Sequence, residues 1–171
     1  MRAKTAQAAI KHAASYNIFL FIAHIPDTAT IGGVAIAIPR SAIQTIDNET
    51  TDEVVKRTRL LATRTQTGSV LTLPFRIEGH SVRLTCAYAP QDGEARIAFF
   101  KNTLPPRVNR RTILALDANC VPDETLDLHL AGTSPYDNRG ANELAAIVGA
   151  NHLFDVAREQ LGTDPYYTCH Q

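Results

Sequence analysis

The chain has 171 residues, 44 % of them apolar and 20 % charged, with 17 Lys plus Arg balanced by 17 Asp plus Glu. This length and composition suit one soluble globular domain and exclude a disordered tail. The longest apolar run, Ile18 to Ala23, is far short of the roughly 20 residues that cross a bilayer, and with zero net charge a nucleic-acid partner would need a local basic patch.

Before the first acidic residue, Asp27, an alanine-rich stretch carries Arg2, Lys4, Lys11 and His12. It has the composition of an organellar targeting peptide. A helix over 5–14 is the preferred reading, because an apolar strand at 18–22 follows directly. Gly32 and Gly33 open a buried strand that Pro39 stops. Residues 47–66 carry Val54, Val55, Leu60 and Leu61 among charges, compatible with a helix or a long irregular connection. Strands at 69–77 and 81–88 flank Glu78-Gly79-His80, a hairpin loop.

Ala89-Pro90 breaks that second strand, and Asp92 can cap a helix in which Ile97, Phe100 and Leu104 share a face and Pro105-Pro106 ends the run. A short apolar strand at 112–116 leads into Asp117-Ala118-Asn119. A polar loop follows from 122 to 138, then a helix marked by Leu144, Ile147 and Val148, and a strand-like segment at 153–156. The alternation of strands and helices, with one hairpin, predicts an α/β or α+β fold with a mixed sheet.

Candidate chemistry concentrates at strand ends. On an extended backbone, Asp117 and Asn119 project to the same side, a proton acceptor beside an amide donor. The same spacing equally suits an Asx-turn closing a strand. Tyr88 offers a phenol to an anion, or serves as a half-buried strand aromatic. Asp127 and Asp155 lie near element ends, and Arg158, three residues after Asp155, is in reach of an ion pair with it. Arg107, Arg110 and Arg111 form one basic cluster, and Lys56, Arg57, Arg59 and Arg64 another; each suits phosphates or a solvated face. His12, His24, His80, His129, His152 and His170 show no metal-ligand spacing. Cys86, Cys120 and Cys169, odd in number and without a CxxC pair, read as reduced thiols.

The order of these pieces is more specific than any one of them. Gly-Gly-Val-Ala-Ile at 32–36, Tyr88-Ala89-Pro90, Arg96 with Phe99-Phe100, Ile113 to Cys120 through Asp117-Ala118-Asn119, Leu153 to Arg158, and Tyr167-Thr168 follow one another along the chain. The series resembles the endonuclease/exonuclease/phosphatase superfamily, most closely the AP-endonuclease-like nuclease domain of non-LTR (LINE-type) retrotransposons, over about 32–168. The resemblance implies a four-layer α/β sandwich that hydrolyses DNA phosphodiesters with Mg²⁺ or Mn²⁺. It implies that Asp117 orients or deprotonates water and touches the metal, that Asn119 holds the phosphate, and that Tyr88 contacts it. Asp127 matches a further acidic position, while Asp155, Arg158 and Thr168 match supports.

The family's Gln-Glu-Thr strand, whose glutamate binds the metal, has no counterpart before Gly32, and its closing Ser-Asp-His is not present by Gln171. The expectation is therefore a single incomplete domain over 1–171, an interior slice with weak metal binding and impaired turnover. A superfamily phosphatase or lipid phosphodiesterase, and a non-catalytic relic of a retroelement nuclease, are the rival readings. The resemblance and the reduced cysteines point to a nuclear or cytoplasmic protein, neither secreted nor membrane-bound.

Overall fold

The structure is a computed structural model that describes residues 3–23, 33–45, 49–127 and 136–164. Its class is the expected one, mixed α/β. The chain divides into two compact units: residues 1–88 with 111–116, and residues 89–110 with 117–171.

In the first unit, α1 (Ala3–Ser15) leads into β1 (Ile18–Ala23), which pairs antiparallel with β2 (Val34–Pro39) from Ile18 opposite Pro39 to Ala23 opposite Val34. Both segments match the sequence reading, although Gly32 lies outside the described residues. The ambiguous stretch after it contains a helix, α2 (Thr51–Leu61), and its start explains why. Thr50 accepts from the Glu53 amide, and the Glu53 carboxylate accepts from the Thr50 amide, so two otherwise orphaned donors are satisfied together. Val54, Val55 and Thr58 then fall on the buried face.

A four-stranded sheet follows in the order β3 (Thr63–Arg64), β4 (Val70–Ile77), β5 (His80–Tyr88), β6 (Thr112–Asp117). β4 and β5 form the expected hairpin, in register from Val70 opposite Ala87 to Ile77 opposite His80. The loop is shorter than the reading gave: Glu78 and Gly79 alone make it, with φ of 49° and 80°. Two consecutive positive φ values match the right-handed twist of the strands, which is why glycine occupies the second position. β6 runs parallel to β5. The Arg83 amide donates to the Arg111 carbonyl, and six residues further along both strands the Ala89 amide donates to that of Asp117. The sheet is mixed, as predicted.

Phe21, Ala23, Val34, Ile38, Val55, Leu71 and Leu73 form a buried cluster joining β1, β2, α2 and β4, with Leu84 and Cys86 of β5 packed against it. On the other side of β4 and β5, the Thr72 and Thr85 hydroxyls satisfy each other at 3.1 Å, so two buried polar groups cost little.

The second unit holds α3 (Gly93–Ala98), a π-helical turn (Phe99–Thr103), a 3₁₀ turn (Pro105–Arg107), α4 (Glu124–Asp127), α5 (Ala141–Ala150) and α6 (Val156–Leu161). Asp92 caps α3 through the Ala95 amide, as expected. The π turn, closed by the Leu104 amide on the Phe99 carbonyl, alters the predicted apolar face. Its extra residue turns Phe99 and Phe100 inward together, with Arg96 and Leu104, and leaves Ile97 half-buried. The predicted strand at 153–156 is absent. Asp155 accepts from the Ala157 and Arg158 amides and starts α6 there instead.

Candidate functional site

β6 delivers Asp117 to the end of the sheet, and there the extended backbone stops. Asn119 has φ of 49°, in the left-handed region, so the alternation that would put both side chains on one side does not apply. An Asx-turn forms: Asp117 Oδ1 accepts from the Asn119 amide at 3.3 Å. Asn119 Nδ2 donates to the Ala89 carbonyl at 2.7 Å, tying the turn to the residue that follows Tyr88 in the chain. Asp117 stays exposed and Asn119 is half-buried.

Tyr88 is the last residue of β5 in the first unit, with its amide on the Ser69 carbonyl and its side chain 36 % exposed. A phenol at that position is presented to solvent rather than sunk in the core. Tyr88 and Asp117 are the last residues of β5 and β6, which are neighbours in the strand order.

The segment after Tyr88 is fixed carbonyl by carbonyl. Asn119 holds Ala89, and Arg96 takes the next two, Pro90 at 3.4 Å and Gln91 at 2.8 Å. The same guanidinium also donates to the Arg139 and Asp137 carbonyls, each at 2.5 Å, and lies 3.4 Å from the Asp137 carboxylate. With 1 % exposure Arg96 is a buried cation, and its planar fork of five donors serves loops from distant parts of the chain. Asn138 performs a similar task on the segment after Asn119, accepting from the Val121 amide and donating to its carbonyl and to Glu124. Sequence reasoning missed Asn138 altogether and gave Arg96 no role of its own. The available signal was a charged residue at helical spacing from Phe99, Phe100 and Leu104, on the apolar side.

Asp137 is bound in turn by Arg139, whose side-chain hydrogen bonds bring the Asp137 pKa down to about 2. Burial raises the Cys120 and Cys86 pKa values, so both thiols are kept protonated.

The remaining candidates form a separate group. Arg158 pairs with Asp127, not with Asp155, and also donates to the Gly162 and Asp164 carbonyls. Asp155 is spent on capping α6, which leaves its carboxylate turned toward amides rather than toward the guanidinium. Asp127 also accepts from the Asp123 amide. No described hydrogen bond or ion pair joins Asp127, Asp155 or Arg158 to Asp117 or Asn119. Thr168, Cys169, His170, His24 and His129 lie outside the described residues.

In the basic clusters, Arg57 is paired with Glu49 at 2.6 Å and Arg107 donates to the Thr103 carbonyl, which leaves Arg110 exposed in the second unit and Lys56, Arg59 and Arg64 exposed in the first. Among the described residues no three His, Cys, Asp or Glu side chains converge into a metal-holding group. The donor set at the turn is one exposed carboxylate, Asp117. One carboxylate leaves most of a cation's coordination to water, a mode that Mg²⁺ accepts, and does not make an all-protein cage. Among the described residues no helix is long and apolar enough to cross a membrane.

No protein-family model and no curated protein matches the chain. Among solved structures, it is similar to the endonuclease domain of TRAS1, a telomere-specific non-LTR retrotransposon, at 17 % identity, with 87 % of this chain and 67 % of that chain covered and a TM-score of 0.43.

Proposed function

We propose that this chain is a phosphodiesterase of the nuclease type, acting on DNA, with Asp117, Asn119 and Tyr88 as its reacting-centre residues and with slow turnover. The reading rests on the ordered motifs of the sequence. The observation that carries it is the Asp117-Ala118-Asn119 turn, exposed at the end of β6 and tied by Asn119 to the residue after Tyr88.

An exposed carboxylate aligns a water and takes its proton as the water oxygen bonds to phosphorus and the ester P–O bond breaks. Of the two N–H groups on Asn119 Nδ2, one is committed to Ala89, and the other donates to a non-bridging phosphate oxygen as its charge grows. The Tyr88 phenol donates to the same phosphate. Asp117 would hold Mg²⁺ or Mn²⁺, which would supply Lewis acidity to the reaction. With one protein carboxylate for the metal, the rate is low.

The test is nicking of supercoiled plasmid by excess protein, with Mg²⁺ or Mn²⁺ and with chelator. Expected are slow, metal-dependent nicking, a loss of about 10²–10⁴-fold in Asp117→Ala and of about 10²–10³-fold in Asn119→Ala. Nicking that Asp117→Ala leaves unchanged, or no nicking above that variant, overturns the proposal. The second result supports the non-catalytic reading, in which closing the Asx-turn is the task of Asp117.

A further inference from the structure

A groove of about 330 Å³ lies in the first unit between α2 and β1, lined by Phe19, Asp52, Val55, Lys56, Arg59 and Leu60. Its apolar lining comes from Phe19, Val55 and Leu60. At its rim Leu60 is 78 % exposed, and Leu61 beside it is 57 % exposed, an unusual cost for the last turn of a helix that already buries one face. The charges are uneven. The single carboxylate, Asp52, is neutralised by Arg40 at 3.2 Å, and Glu49 nearby on the chain is taken by Arg57. Lys56 and Arg59 form no ion pair among the described residues. Arg59 instead lies over the Phe21 ring, 5.8 Å from its centroid, a cation–π contact within the first unit.

We propose that this groove docks a helical segment of a partner protein that presents apolar side chains together with two carboxylates one turn apart. Lys56 and Arg59 are three residues apart on α2 and so face the same way, a spacing that a helix with acidic residues at i and i+3 or i+4 complements. The exposed leucines separate this occupant from a nucleic acid, whose phosphates would satisfy the two cations and leave Leu60 and Leu61 uncovered. Association with such a segment is steered by the cations and held by the apolar contacts, so it weakens with salt without vanishing. This surface belongs to the first unit alone and does not depend on the nuclease reading.

The probe is a fluorescein-labelled synthetic peptide of Leu and Glu, with Leu at helical spacing, titrated with the full chain and followed by anisotropy. Binding is expected, with Lys56→Glu/Arg59→Glu and Leu60→Ser each weakening it about tenfold or more while both variants stay folded by circular dichroism. Both substitutions are at exposed positions, and Leu60→Ser retains every charge, so the two variants separate the apolar and ionic parts. Absence of peptide binding overturns the proposal. So does binding that neither variant weakens, equal binding of a peptide with Lys in place of Glu, or loss in these variants of duplex DNA binding when the peptide itself does not bind.

Discussion

Replacing Arg96 by alanine tests how the second unit is held together. The guanidinium is 1 % exposed and satisfies the carbonyls of Pro90, Gln91, Asp137 and Arg139. A carbonyl shut off from water and left without a donor costs about 1–3 kcal/mol, and less where its residue is exposed, as at Gln91, Asp137 and Arg139. The bond to Pro90, at 3.4 Å, is the weakest of the four and contributes least. Water entering the space relieves part of the sum and Asp137 keeps its Arg139 partner, so three stronger bonds at about 1–1.5 kcal/mol each leave a loss of about 3–5 kcal/mol. That range corresponds to a drop of about 6–20 °C in melting temperature for a chain of this size.

Arg96→Lys keeps the charge but loses the fork, so it should recover only part of the loss. Urea denaturation followed by circular dichroism gives the global value. Hydrogen exchange by mass spectrometry, read over residues 89–98 and 136–150, gives the local one, and protection should fall there first. A cost below about 1 kcal/mol in Arg96→Ala, or exchange that does not change in those two segments, would refute the claim that this side chain joins them.

Three further outcomes are expected. Asp137, with its pKa held near 2 by the Arg139 hydrogen bonds against an ordinary 3.8, contributes stability that is complete above pH 4 and lost as the pH falls toward 2. Acid titration of the melting temperature should therefore be shallower between pH 4 and 2 in Asp137→Asn. Gly140→Ala forces a side chain onto φ of 100° with its Cβ 3.0 Å from Arg96 Cγ, and urea titration should show a loss of about 1–3 kcal/mol. Thr50→Ala removes half of the α2 capping box and should cost about 1 kcal/mol by the same measurement, with Thr50→Ser close to the parent.

Local chemistry made much of the first unit legible. The hairpin was readable because Glu78-Gly79 sits between two apolar runs, and the Asp92 cap because a short carboxylate precedes a helical pattern. Helix α2 stayed ambiguous because its apolar residues are few, and only the reciprocal Thr50 and Glu53 bonds decide it. At 153–156 the apolar residues suggested a strand, yet the capping capacity of Asp155 prevailed and directed the Arg158 guanidinium toward Asp127. Asp117 and Asn119 were found by position, but their geometry was not. A left-handed residue directly after a strand breaks the alternation on which the reading relied. The tasks of Arg96 and Asn138 lay beyond sequence reasoning because their partners are distant in the chain and are backbone groups, which carry no residue identity to read.

The carbonyls of Ala89, Pro90 and Gln91 have a consequence for the order of assembly. Ala89 waits for a side chain 30 residues later, and Arg96, which holds the other two, is itself seated by carbonyls 41 and 43 residues away. A ribosome that has just emitted the β4–β5 hairpin has released a strand pair able to zip locally, but the stretch beyond it stays slack until residue 139 has left the exit tunnel. The Asp117 turn closes on Ala89 once Asn119 has emerged, while Pro90 and Gln91 wait for the Arg96 seat, so a nascent chain arrested between those points holds one clasp without the other.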